Sequence, residues 1–330
     1  MSGKQRHVYI DRTKGLAILL VVIGHLVARE APLGGAHWYL VLKHRIYDFH
    51  MPLFMAVSGL VYGLTWRAAP TLAADFAEAR RRAQRLLPSY LLFGLLIFVG
   101  KLAVQALGGR VDNAVQGPQD LLDLVLQPGV SFTSFLWYVY ALALLYLAFP
   151  PALRAAGGRV WALWLLSIGF WWLPLGTWLA WDRLQYFTVF FLTGVIAGRH
   201  HEAALRVLKA AWLPAALGFA ATMALTRDGN EPLRWTAAAL SILAFPGLLL
   251  ATRDWPLGLL ETLGRYTLII YLTNTIFIGL IKVAATKLGL WTEGVFLLLA
   301  PVMTVAATAG PILLKRHLLP KVPALDRITS

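Results

Sequence analysis

Apolar residues run along the chain in long blocks, divided by short stretches of glycine, proline and basic residues. A helix that crosses a bilayer needs about 20 mostly apolar residues. About ten blocks meet that length, near 13–30, 46–66, 86–107, 132–151, 159–177, 184–198, 207–225, 234–252, 266–283 and 293–314. The sixth is short, and Pro52 sits near the start of the second. A proline there is tolerated, because the first turn of a helix has no intrahelical partner for its N–H. The pattern predicts an all-α, polytopic membrane bundle.

The polar stretches give an independent test. With the N-terminus in the cytoplasm, Arg67–Arg85, Arg154–Arg159, Arg199–Lys209, Arg253–Arg265 and the tail from Lys315 fall on the same side. They carry most of the Lys and Arg, and the opposite loops are mixed or acidic. Cytoplasmic loops are enriched in Lys and Arg, so the alternation predicts an even number of spans with both termini cytoplasmic. No linker, repeat or low-complexity tract interrupts the 330 residues, which read as one membrane-embedded domain over 1–330. The basic N-terminus ahead of the first block raises a signal peptide. Gly34, Gly35 and Ala36 make a weak cleavage site, and the block is read as a retained helix.

Composition agrees. The chain is 58% hydrophobic and 14% charged, where a soluble domain carries roughly 25% charged residues. The net charge of +14 would suggest nucleic acid in a soluble protein, but these cations lie where topology puts them, so no nucleic-acid partner is expected. The absence of cysteine excludes disulfides, thiolate metal sites and a cysteine nucleophile.

Ionisable groups inside a bilayer are costly and are therefore functional candidates. Lys14 and His25 are eleven residues apart, three turns, and share one helix face roughly 16 Å apart along the axis. Asp11 shares that face but stands roughly 21 Å from His25, too far to orient its ring. Asp48 and Glu30 are the carboxylates nearest to His25 in depth. His50 opens the next block, which runs back from the outer side, so both imidazoles can face one cavity. The plainer alternative is that each ring only satisfies a neighbouring backbone or hydroxyl group.

The motifs "IDRTKGLAILLVVIGH" and "FHMPLFMAVSGLVYG" resemble the opening of the membrane acyltransferase 3 family, especially the fucose 4-O-acetylase-like sugar O-acetyltransferases. That family pairs a basic residue with a histidine after ten intervening positions, filled here by Lys14 and His25. The likeness continues through "RRAQRLLPSYLLFG", "FLWYVYALALLYL", "FTVFFLTGVIAG" and "LGRYTLIIYLTN". Members often end the last motif with histidine; this chain has Asn274, and no catalytic role is assigned to it.

The resemblance implies transfer of an acyl group, usually acetyl, from acyl-CoA to a hydroxyl of a cell-envelope sugar or related small molecule, free or lipid-linked. Acetyl-CoA would be a donor substrate, with no permanently bound cofactor and no metal, in the cytoplasmic membrane of a bacterium. A hydroxyl attacks a thioester well only when a base removes its proton, and histidine is the usual base. His25 is assigned that role. His50 would hold the acceptor, polarise the carbonyl or relay the proton. The phosphates of CoA need cations on the inner face, where Arg80, Arg81, Arg82 and Arg85 stand, with Lys14 as a further contact; topology alone would also produce that cluster. An extended pantetheine arm between helices would join the two depths. Direct transfer and an acetyl-histidine intermediate both remain open.

Ser58 and Gly59 mark close helix packing rather than a nucleophile. Trp137, Trp171, Trp172, Trp178 and Trp181 read as interfacial aromatics, some able to cover a sugar face. His200 and His201 lack further metal ligands. Two rival readings are a proton-coupled transporter using the same histidines and a non-catalytic polysaccharide-assembly protein. Matched broken helices in two halves, expected of many transporters, are absent from the sequence.

Overall fold

The computed structural model describes residues 7–28, 31–67, 70–226 and 230–329. Its helices are α1 (Val8–His25), α2 (His37–Tyr47), α3 (His50–Thr65), α4 (Leu72–Ala83), α5 (Leu87–Ala106), α6 (Asp120–Leu126), α7 (Trp137–Ala155) and α8 (Val160–Phe170). They continue with α9 (Trp181–Arg199), α10 (His201–Leu225), α11 (Glu231–Ala251), α12 (Gly258–Arg265), α13 (Thr267–Lys287), α14 (Glu293–Leu313) and α15 (Pro323–Ile328). Among the described residues the only β pairing is an isolated bridge between Leu33 and Thr292. The all-α expectation stands.

The expected count of ten spans is met in part. Six helices among the described residues are long and apolar enough to cross a membrane, lying within Leu72–Ala106, Ser134–Ala155, His201–Leu225, Glu231–Ala251, Thr267–Lys287 and Glu293–Lys321. The other four expected blocks form α1, α3, α8 and α9. Helix α8 has 11 residues and α3 has 16. The first two turns of α1 and the first turn of α9 carry charge, at Asp11, Arg12, Lys14 and at Asp182, Arg183. Most of α3 and much of α1 and α9 are buried by neighbouring helices, so these helices need no continuous apolar surface.

Close packing sets the centre. Gly59 and Gly63 of α3 face Gly194 and Gly198 of α9, four residues apart on each helix. A Cβ at Gly59 would collide with the Phe191 carbonyl, and one at Gly194 with the Ala56 carbonyl. Small residues let backbones meet this way in membrane bundles. Beside this pair, α1 packs on α3, α12 and α13. Its N-terminal part is fixed by Arg12, which is 4% exposed. The Arg12 guanidinium donates to Glu261 Oε1 at 2.9 Å and to the carbonyls of Thr252 and Trp255, both at 2.9 Å. A buried guanidinium is tolerated because its donors are met by carboxylate and carbonyl oxygens.

Candidate active site

The opening of the site lies at the end of α1. The last carbonyls of a helix have no intrahelical donor, and here α2 supplies donors to two of them and to one carbonyl just beyond the helix. Tyr39, Lys43 and Tyr47 are spaced by four, so they form one stripe along α2. The Tyr39 hydroxyl donates to Ile23 O at 2.7 Å, the Lys43 ammonium to Val27 O at 2.6 Å, and the Tyr47 hydroxyl to Gly24 O at 2.9 Å. A cation at a helix C-terminus also opposes the negative end of its dipole. Burial holds the Lys43 ammonium below the usual lysine pKa, against a smaller opposing effect of Asp112. Tyr47 leaves no room for a side chain at Gly24, where a Cβ would stand 2.6 Å from its ring. His25 is thus carried on a clamped turn.

Its ring is oriented by α13. Nδ1 of His25 lies 2.9 Å from Oδ1 of Asn274. The Asn274 amide nitrogen donates to Ile270 O at 2.9 Å and Tyr271 O at 2.8 Å. Carbonyls only accept, so the amide must point its nitrogen at them and its oxygen at the ring. That oxygen also only accepts. The proton of the neutral imidazole therefore sits on Nδ1, and Nε2 keeps its lone pair. Asn274 is fully buried, so the arrangement is shielded from competing water.

His50 obeys the same logic. Its Nδ1 donates to Ile46 O at 2.7 Å, again leaving Nε2 as the basic nitrogen of the neutral ring. Both histidines line one cavity of about 670 Å³. Its walls include Trp137, Tyr186 and Phe187, and its polar groups include Lys43, Asp182, Arg183 and Arg234. Asn113 Oδ1, Asp182 Oδ1 and Thr275 Oγ1, all on residues lining this cavity, are buried without a hydrogen-bond partner among the described residues. Such atoms are costly unless something pairs with them.

The other sequence candidates lie elsewhere. Asp48 is held by Arg234 at 2.9 Å, while the Nδ1 of His25 is met by Asn274. Glu30 lies outside the described residues. Lys14 and Asp11 lie 3.8 Å apart near the start of α1. Arg80, Arg81 and Arg82 close α4, with Arg85 just after it. Glu78 takes Arg81 and Arg82, each at 2.7 Å. Arg82 also donates to Thr65 Oγ1 at 3.0 Å, at the opposite end of α3 from His50. Fifteen residues of helix set those ends roughly 22 Å apart. None of the four arginines lines the histidine cavity. Ser58, read as a packing residue, lies 2.5 Å from the Tyr138 hydroxyl.

Sequence reasoning missed two parts of this site. The stripe of Tyr39, Lys43 and Tyr47 is legible as a four-residue period, but most of its segment lies between two expected spans, where no element is expected. Asn274 carries no expected catalytic role because it departs from the histidine common in the family; an amide cannot exchange a proton, and its contribution is to place one.

Residues 7–316 match the family model described as acyltransferase domain, of the acyltransferase 3 type. The chain is 31% identical over 138 residues to the nodulation protein NolL of Mesorhizobium japonicum, covering 41% of this chain and 33% of that protein. It is 38% identical over 104 residues to the NolL of Sinorhizobium fredii, covering 31% and 27% respectively. The match therefore spans about a third or less of the length of these curated relatives. No solved structure matches the chain. Because the family match runs through both histidine helices and on to the end of α14, the chain belongs to the acyltransferase 3 family of membrane acyltransferases, which sets aside the transporter and assembly-partner readings.

Proposed function

We propose that the protein moves an acetyl group from acetyl-CoA, held at the cytoplasmic face of a bacterial inner membrane, to a hydroxyl of a cell-envelope sugar. The observation that carries this reading is the Asn274 contact, which leaves Nε2 of His25 unprotonated at a cavity wall. In the reaction Nε2 takes the acceptor's proton as the hydroxyl oxygen attacks the thioester carbonyl. The tetrahedral intermediate then collapses, the C–S bond breaks, and the imidazolium returns the proton to the departing CoA sulfur. A positioned base contributes about 10²–10⁴ in rate. His50, with Nδ1 committed to Ile46 O, offers Nε2 as a hydrogen-bond acceptor and steers the same hydroxyl.

A polyhydroxylated acceptor is favoured by the cavity wall. Buried polar atoms of Asn113, Asp182 and Thr275 await partners there, and Trp137, Tyr186 and Phe187 offer faces for the apolar side of a sugar ring. The basic loops and Arg80, Arg81, Arg82 and Arg85 support a cytoplasmic donor site with both termini inside. An extended pantetheine arm would then run along α3 toward His25.

The test is acceptor-dependent transfer from labelled acetyl-CoA by purified protein, with a panel of free and glycan-bound sugars. Wild-type transfer that disappears in a folded His25→Gln variant supports the reading. Undiminished transfer by that variant overturns the role of His25, and no transfer to any hydroxylated acceptor overturns the reaction.

A further inference from the structure

His25 also borders a second cavity, of about 390 Å³, whose character is the reverse of the first. The two meet at His25, Ala28, Asn113, Phe135 and Thr275. Beyond that junction the walls are apolar, made by Leu96, Ile97 and Val104 of α5 and by Ile276, Leu280 and Val283 of α13. Leu96 is 53% and Leu280 62% exposed, so the cleft opens through the outer surface of the bundle. Both helices lie within segments long and apolar enough to cross a membrane, and that surface therefore faces hydrocarbon.

Two glycines mark the slot. Gly100 and Gly279 both line it, and a Cβ at either would meet nothing within 4 Å. They differ from Gly59 and Gly194, which are small because a neighbouring backbone presses on them. Helix packing does not explain Gly100 and Gly279, whose lack of side chains keeps a lane free between α5 and α13.

The mouth carries charge. Lys101 spends its ammonium on the carbonyls of Asp112, Asn113 and Phe132, at 2.6, 3.0 and 2.7 Å. Lys282 is bound to Asp112 at 2.7 Å. Arg110, four residues past the end of α5, is exposed at the cavity wall and has no ion pair among the described residues. It stands where the headgroup of a lipid in this lane would lie.

A free sugar has no use for an apolar slot open to lipid. An amphiphile with a sugar at one end and a hydrocarbon chain at the other fits both cavities at once, with its junction at the basic nitrogen. We propose that the acceptor is lipid-linked: its chain enters sideways between α5 and α13, its phosphate meets Arg110, and its sugar reaches His25 from within the bilayer. This rests on the reading of the first cavity as the acceptor site.

The experiment uses the full chain in lipid nanodiscs and a photoreactive polyprenyl monophosphate, with the matching polyprenol and a photoreactive phosphatidylcholine as comparisons. The expected labelling falls on the α5 and α13 segments that line the cleft. Gly100→Leu and Gly279→Leu reduce it by about tenfold or more by filling the lane. Arg110→Gln, a surface change that leaves the helices intact, weakens capture of the monophosphate but not of the polyprenol. Equal labelling by phosphatidylcholine, or labelling indifferent to all three substitutions, marks ordinary surrounding lipid and overturns the proposal. So does a change confined to preference for the donor's acyl length. Acetyl transfer to a panel of free and lipid-linked sugars is measured in parallel on the wild type. Transfer without cleft labelling overturns the lipid lane alone, and labelling without transfer overturns the acetyltransferase reading alone.

Discussion

Asn274 holds the imidazole of His25 at 2.9 Å across 249 residues of sequence, and both hydrogens of its amide are taken by its own helix. The side chain cannot rotate without breaking three bonds, so the imidazole proton is fixed by the backbone of α13. Removing it with Asn274→Ala leaves the ring free to choose the wrong tautomer. The lost buried hydrogen bond is worth about 1–3 kcal/mol, or roughly 5- to 150-fold in rate. The fall should appear in kcat, with the KM for acetyl-CoA little changed, because the bond touches neither substrate. Steady-state kinetics on the folded variant checks this.

Asn274→Asp separates orientation from basicity. A carboxylate accepts from Nδ1 as the amide oxygen does, but its charge favours the imidazolium. The acid limb of the pH–rate profile should therefore move to higher pH, since more alkaline solution is needed to free Nε2. A profile that stays in place would separate the base from this contact.

The clamp on α1 gives a stability prediction. Lys43→Met removes hydrogen bonds to the Val27 and Ala28 carbonyls and a cation near the helix C-terminus, at a cost of about 1–2 kcal/mol. Tyr47→Phe removes one bond, at about 1 kcal/mol. The loss is local, so hydrogen exchange should rise most at residues 23–28 while the α3–α9 contact stays protected. Equal exchange in both regions would show that α2 supports the whole fold.

Much of this was readable in advance, and the gaps have physical causes. Apolar length gave the all-α class and the two histidine helices, because a bilayer imposes its thickness on any helix exposed to it. Six of the ten expected spans meet that rule among the described residues. Helices such as α3, surrounded by protein, do not answer to lipid, and their length and charge follow their neighbours. The eleven-residue step from Lys14 to His25 described one helix face correctly but could not show that Asn274, on a distant segment, would meet the ring. Asp48 looked near in depth, yet depth is one coordinate, and Arg234 on α11 claims it. Long-range pairing is set by packing and leaves little periodic trace.

Packing between α3 and α9 should be intolerant of added volume. Gly194→Ala places a methyl against the Ala56 carbonyl, and Gly59→Ala does the same to the Phe191 carbonyl. Backbone atoms cannot swing aside, so the helices must separate. Overpacking of this kind costs about 1–3 kcal/mol or more. Thermal unfolding in detergent should fall clearly for each variant, while Gly100→Ala, with open space around it, should melt near the wild type.

The arginines on α4 divide by what already binds them. Glu78 occupies Arg81 and Arg82, and Arg82 further ties α4 to Thr65 at the C-terminal end of α3. Arg80 and Arg85 are exposed. If CoA phosphates dock here, Arg80→Gln and Arg85→Gln should each raise the KM for acetyl-CoA by about fivefold, the effect of roughly 1 kcal/mol at an exposed charge. The KM for the sugar should not move, since the acceptor cavity is lined by none of these residues. Raising ionic strength should imitate both substitutions, because screening weakens an exposed contact with phosphate. Arg82→Gln should behave differently, losing stability as well as affinity, since it releases one end of the helix whose other end carries His50. A KM for acetyl-CoA that ignores salt and all three substitutions would place the donor site away from these arginines.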